Sequence, residues 1–221
     1  MRLRRSVPNS PGFPLRPSAP SAVIILLAVL VARSAVIAEE PTGFGNAKFG
    51  MSLKDVWRMY PQARLLGEQE TLGAAVLDGP YIERLALHDQ PVPGFPKPTT
   101  VELRFWNGKL WGVVVFFGDN DPQVCKAYLA NEYGPTTSRD ANMPLWRGNK
   151  VTTTATYNQG WYGYTDNALS DDVSAWLAEV LKGSWKGATA EEKAERERRM
   201  AEVTPGSEKA AAPPLTPGAP R

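Results

Sequence analysis

The pattern of apolar and polar positions is clearest over residues 99–118, TTVELRFWNGKLWGVVVFFG, where the two kinds alternate on either side of Asn107-Gly108. A period of two belongs to a strand with one buried face. Asn-Gly supplies the two positive-φ residues of a type I′ turn, so the stretch is predicted to be one long β-hairpin. With unbroken alternation, Phe105 faces Leu110, Arg104 faces Trp111 and Leu103 faces Gly112. One face then collects Val101, Leu103, Phe105, Leu110, Val114 and Phe116 and belongs to a core. The other collects Glu102, Arg104, Trp106, Lys109, Trp111, Val113, Val115 and Phe117, polar beside the turn and apolar toward Phe117.

Helical spacing takes over elsewhere. Ser52-Leu53-Lys54-Asp55 reads as a capping box, Leu53, Val56, Trp57 and Tyr60 follow as a stripe, and Pro61 stops the run, predicting a helix over 53–60. Residues 73–77 are a candidate strand, 78–80 a turn and 81–87 a second strand. Pro91, Pro93, Pro96 and Pro98 make a stiff loop that cannot enter a sheet interior. After the hairpin, Asp121-Pro122 caps a second helix with Val124, Cys125, Tyr128 and Leu129 on its apolar side, ended by Gly134-Pro135. Leu145-Trp146, residues 151–157 and residues 161–165 are short strands separated by Gly148-Asn149 and Asn158-Gln159-Gly160. A third helix over 168–183 takes Ser170 as its N-cap and Val173, Trp176, Leu177, Val180 and Leu181 as its stripe. The fold class this predicts is α+β: an antiparallel β-sheet with helices packed on one face. The run AEEKAERERRMAE at 190–202 has helix formers without an apolar face and is expected as a solvated extension, and 205–221 is Ala/Pro-rich and expected to be disordered.

The ends of the chain add compartment. Arg2, Arg4 and Arg5 precede the apolar run 22–31, AVIILLAVLV, and Val36-Ile37-Ala38 places small or β-branched residues before Glu39-Glu40. That is the layout of a secretory signal peptide over 1–38. The apolar run is shorter than the ~20 residues of a membrane span, and Arg33 interrupts it. Extension of the core to Ala38 keeps an uncleaved inner-membrane anchor open as the alternative. The domains are then a leader over 1–38, one secreted domain over 39–183, and a charged, then Pro/Ala-rich, tail over 184–221. A net charge of +2 conceals a split: five arginines and no acid lie in 1–38, leaving the remainder at 20 basic against 23 acidic residues. A nucleic-acid surface is not indicated.

The order helix, strand, strand, strand occurs twice, over 49–118 and 119–166. Phe49-Gly50-Met51-Ser52-Leu53-Lys54-Asp55-Val56, with Phe105-Trp106-Asn107-Gly108-Lys109-Leu110 later, resembles the small bacterial envelope domains of the SmpA/OmlA (BamE) type, which carry a G-M-[ST]-x-x-[DE]-V helix start and an F-x-[DN]-G-K-L hairpin. The tandem plan is similar to that of the β-lactamase-inhibitor proteins. The likeness covers about residues 49–164 and implies an extracytoplasmic, non-catalytic α+β module. The chain has no lipidation cysteine and adds a Pro-rich loop and a charged tail, so neither membrane assembly nor enzyme inhibition is carried over.

Candidate chemistry is sparse. His88 is the single histidine, and with Asp89 it forms the only acid/base pair for an alternative hydrolase reading, with no nucleophile-elbow motif to complete it. Cys125 is the single cysteine, in an apolar setting that suits a buried thiol. Asp119, Asn120 and Asp121 lack the further oxygens of a calcium loop, and no zinc ligand set is present, so no metal or cofactor is expected. Binding is left to the aromatics. Trp106 and Trp111, beside Arg104 on the more polar hairpin face, are the expected partner-binding residues, with Arg104 over Trp111 as a cation–π pair. The expected partner is a protein or other envelope component.

Overall fold

The computed structural model describes residues 39–67, 81–136 and 138–203. The expected leader over 1–38, the candidate strand 73–77 with its turn, and the tail beyond 203 lie outside the described residues. Nine strands are described: β1 (Gly43–Phe44), β2 (Ala47–Lys48), β3 (Arg64–Leu65), β4 (Ile82–Gln90), β5 (Thr99–Trp106), β6 (Lys109–Phe116), β7 (Leu145–Arg147), β8 (Val151–Thr156) and β9 (Trp161–Asp166). Four helices accompany them: α1 (Leu53–Met59), α2 (Pro122–Tyr133), α3 (Asn167–Leu181) and α4 (Ala190–Glu202). β1 and β2 form a small hairpin, and the other seven strands form one antiparallel sheet in the order β3-β4-β5-β6-β9-β8-β7. The protein is of the α+β class.

Local chemistry sets the boundaries of α1 and α2. The Asp55 N–H donates to Ser52 Oγ at 3.1 Å, and Ser52 Oγ donates to the Asp55 carboxylate at 2.6 Å. The Gln123 N–H donates to Asp121 Oδ1 at 2.8 Å with Pro122 in the first turn, and Gly134, at φ 71°, ends α2. For α3 the cap is Asp166, which accepts from the Leu169 N–H at 3.0 Å, whereas Ser170 lies inside the helix and donates to the Asp166 carbonyl. Asp166 ends β9, so strand and helix abut and the earlier residue takes the cap.

The hairpin turn has the expected signs, φ 49° at Asn107 and 73° at Gly108. Phe105 pairs with Leu110 as expected, but the register then shifts: Arg104 pairs with Gly112 and Leu103 with Val113. Trp111 is the extra residue of a β-bulge, which moves every later side chain of β6 to the opposite face. Val113, Val115 and Phe117 therefore join Val101, Leu103, Phe105 and Leu110 in the main core, while Val114 and Phe116 lie on the other face.

The main core is roofed by Leu53, Val56 and Trp57 of α1 and by Cys125 and Leu129 of α2. Strand order and helix placement obey one rule: an axis perpendicular to the sheet between β6 and β9 interchanges β4-β5-β6 with β7-β8-β9 and keeps α1 and α2 on one face. α3 departs from the expectation that all helices share a face. Its Val173 and Trp176 pack on Ile82, Trp106 and Trp111, which alternate with the core residues and face away from them. Leu181, expected in that stripe, is 78% exposed, because the helix ends there beyond the edge of its contact.

The charged run 190–202 is helical, yet it is not a solvated extension. Arg199 donates twice to Glu83 Oε1, at 2.9 and 2.7 Å, Lys54 pairs with Glu202 at 3.3 Å, and Val203 is fully buried. One buried acid and one terminal valine anchor this helix in place of a continuous apolar stripe. None of the described helices is long and apolar enough to cross a membrane.

Candidate functional site

Trp106 and Trp111 are brought together, but under α3, at 7% and 5% exposure. Trp106 lies 5.4 Å from Trp176 and 5.2 Å from Tyr81, ring centre to ring centre. The expected aromatic platform is thus an interior contact between sheet and helix. Arg104 does not face Trp111, because the bulge removes that pairing; its Nε donates to Glu102 at 2.7 Å. His88 is exposed on β4 with Nδ1 3.2 Å from the Thr100 hydroxyl, and Asp89 adopts φ 54° at the irregularity between Leu87 and Gln90. Burial pushes the Cys125 thiol up to about 11, which leaves it protonated and inert at neutral pH. Among the described residues no group of three or more His, Cys, Asp or Glu is arranged to hold a metal. Asn120 does more than cap: its side chain accepts from the Lys97 N–H and donates to the Lys97 and Phe117 carbonyls, tying the Pro-rich loop to the hairpin end.

The most developed polar site lies at the turn between β7 and β8. The Gly148 N–H donates to the Val151 carbonyl at 2.8 Å and closes the turn. Three successive N–H groups, of Asn149, Lys150 and Val151, then point outward together and donate to the Glu40 carboxylate at 2.8, 2.7 and 2.8 Å. Converging backbone donors of this kind form an anion nest. The Lys150 N–H, with its neighbours, outweighs partial desolvation and holds the Glu40 carboxyl below the usual carboxylate range. The fit needs a glycine: a Cβ on Gly148 would lie 2.7 Å from Glu40 Cδ. Asn167 braces the turn from behind, its N–H donating to the Lys150 carbonyl and its amide to the Gly148 and Asn149 carbonyls.

Beside the nest is a cleft of about 100 Å³ lined by Glu40, Pro41, Tyr133, Trp146, Arg147, Gly148, Val151 and Thr153. Small-molecule pockets run to roughly 300–1,000 Å³, so this one suits a single side chain. Its aromatic wall is fixed: the Trp146 indole donates to the Gly134 carbonyl at 2.9 Å, and its ring lies 5.5 Å from that of Tyr133. Burial raises the Tyr133 hydroxyl to about 12. The turn was legible in Gly148-Asn149, but its occupant was not, since Glu40 is 109 residues from Asn149 and no local pattern links them.

Compared with protein-family models and with curated proteins, the chain matches none.

Proposed function

We propose that this chain is an exported, non-catalytic binding module of the bacterial envelope, related in plan to the SmpA/OmlA (BamE) type and acting in the periplasm or outside the cell. The single observation that carries this reading is the arrangement of two helix-plus-three-strand units about one axis, β4-β5-β6 against β9-β8-β7 with α1 and α2 on the same face. The SmpA-like helix start and hairpin fall at matching places in the first unit. The position of Glu40 supports export. The nest seats the second residue after the expected cleavage point at Ala38, so removal of 1–38 leaves every described contact of the domain in place.

Expression of the full chain with a C-terminal tag in a Gram-negative host, followed by fractionation and N-terminal sequencing, tests the reading. The expected outcome is a periplasmic product beginning at Glu39. Full-length chain in the cytosol would overturn export, and full-length chain retained in carbonate-washed membranes would replace a cleaved leader with an anchor.

A further inference from the structure

The nest at residues 148–151 is complete without Glu40. Its closing bond joins Gly148 to Val151, and its braces come from Asn167. Neither involves the strap that carries Glu40. The strap is lightly held at its start: among the described residues, the hydrogen bonds of 39–41 are the three that the Glu40 carboxylate receives. The next attachments are at Thr42, whose carbonyl accepts from the Phe49 N–H, and at Gly43, whose carbonyl accepts from the Tyr164 hydroxyl. Residues 39–41 can lift away without disturbing either. Glu40 is partly exposed, so it regains water when it leaves and an incoming carboxylate has a path to the same three donors. The surrounding charge favours an anion. Lys150 acts on the site directly and Arg147 lines it, while the nearby Asp166 carboxylate is committed to the Leu169 N–H.

We propose that the Gly148–Val151 turn is a carboxylate receptor in which Glu40-Pro41 sits as a built-in pseudo-ligand, and that an acidic peptide segment of a partner takes its place. The cleft supplies the second half of the recognition. Pro41 already stands at its rim beside Trp146 and Tyr133, so the segment it fits is an acidic residue followed by proline or another small apolar residue. Charge-assisted bonds from backbone N–H groups fix the carboxylate, and the aromatic wall selects its neighbour. Use of the site by a partner rests on the binding-module reading above. The titration below uses purified chain, so it can fail while export succeeds, and the reverse.

The test is amide-resolved NMR on the full chain and its Glu40→Ala variant, titrated with acetyl-Glu-Pro-amide, acetyl-Gln-Pro-amide and acetate. The Glu dipeptide is expected to shift the Asn149, Lys150 and Val151 amides of Glu40→Ala saturably. In the wild type the same dipeptide should bind at least tenfold more weakly, because Glu40 competes. The Gln dipeptide should leave the three amides unmoved, and acetate should bind more weakly than the Glu dipeptide. Absence of the three-amide response in folded Glu40→Ala overturns the receptor. An equal response to the Gln dipeptide overturns carboxylate recognition, and equal affinity in the wild type overturns the pseudo-ligand. Acetate binding as tightly as the dipeptide overturns the peptide assignment. Glu40→Gln, which keeps an acceptor in the nest but removes the charge, reads the same competition should Glu40→Ala lose its folded spectrum.

Discussion

Gly94 is the residue on which the Pro-rich loop depends. It sits at φ 77°, and a Cβ there would lie 2.0 Å from Cδ2 of Tyr128, so the loop backbone lies directly on that ring. The contact aims Phe95 inward, where its ring meets Phe117, Tyr128 and Tyr162 at 5.9–6.0 Å. Gly160 provides a control, since it has nearly the same φ, 70°, and open space where a Cβ would stand. Gly160→Ala should cost only the left-handed backbone penalty, about 1–2 kcal/mol. Gly94→Ala adds overpacking against a buried ring, a further ~1–3 kcal/mol. Urea unfolding followed by tryptophan fluorescence should place the Gly94→Ala midpoint below that of Gly160→Ala, with unchanged slope. Equal midpoints would mean that the loop is not seated on Tyr128.

At the scale of the element, α4 is held by an ion pair that no periodicity announces. The Glu83 side chain is fully buried and that of Arg199 is 18% exposed. Glu83 also accepts from the Gly108 N–H at 3.1 Å, so the pair clamps α4 to the hairpin turn. Desolvation raises the Glu83 carboxyl above its usual range even against the pull of Arg199. A raised native value means that its contribution to stability is fully present below the unfolded value, near 4.5, and is lost as pH rises through the native one. Removing Arg199 leaves the carboxylate buried and uncompensated, a loss of about 3–5 kcal/mol. Arg199→Leu should therefore be strongly destabilised at pH 7, and its deficit should shrink toward pH 4, where Glu83 is protonated in both states. Denaturant unfolding at the two pH values checks this, and a pH-independent deficit would assign α4 docking to Met200 and Val203 alone. What was legible in the chain was chemistry acting over a few residues: the Ser52 and Asp121 caps, the Asn107-Gly108 turn and the core alternation of β5. The bulge at Trp111 was not legible, because alternation reads the same with or without one extra residue until a partner strand fixes the register. That single residue also misplaced Trp106, Trp111 and Arg104 as a surface, since their apparent polarity came from neighbours on a face that α3 covers. Arg199 and Glu40 each meet partners more than 100 residues away, beyond any local pattern.

For the whole molecule, the junction between β6 and β9 decides whether the two units behave as one body. Each unit alone is a three-stranded sheet with one short helix, and the main core draws side chains from both, Leu103 and Phe105 from one and Ala155, Tyr162 and Tyr164 from the other. A half deprived of its mate would expose the face that the other half completes. Gly163 sits at the junction opposite Val114, and a Cβ there would lie 2.8 Å from the Val113 carbonyl. Backbone contact of this kind cannot be relieved by turning a side chain, so Gly163→Ala must push β9 from β6. The expected result is a loss of about 1–3 kcal/mol, the usual range for overpacking. The loss should appear identically in tryptophan fluorescence and in hydrogen exchange of β5 and β8, one strand from each unit. In the wild type the β6 and β9 amides should be the last to exchange and those of the edge strands β3 and β7 the first. If the β5 and β8 amides of Gly163→Ala instead opened with separate free energies, the units would be independent domains sharing a sheet edge, and the twofold arrangement would record their pairing rather than one cooperative fold.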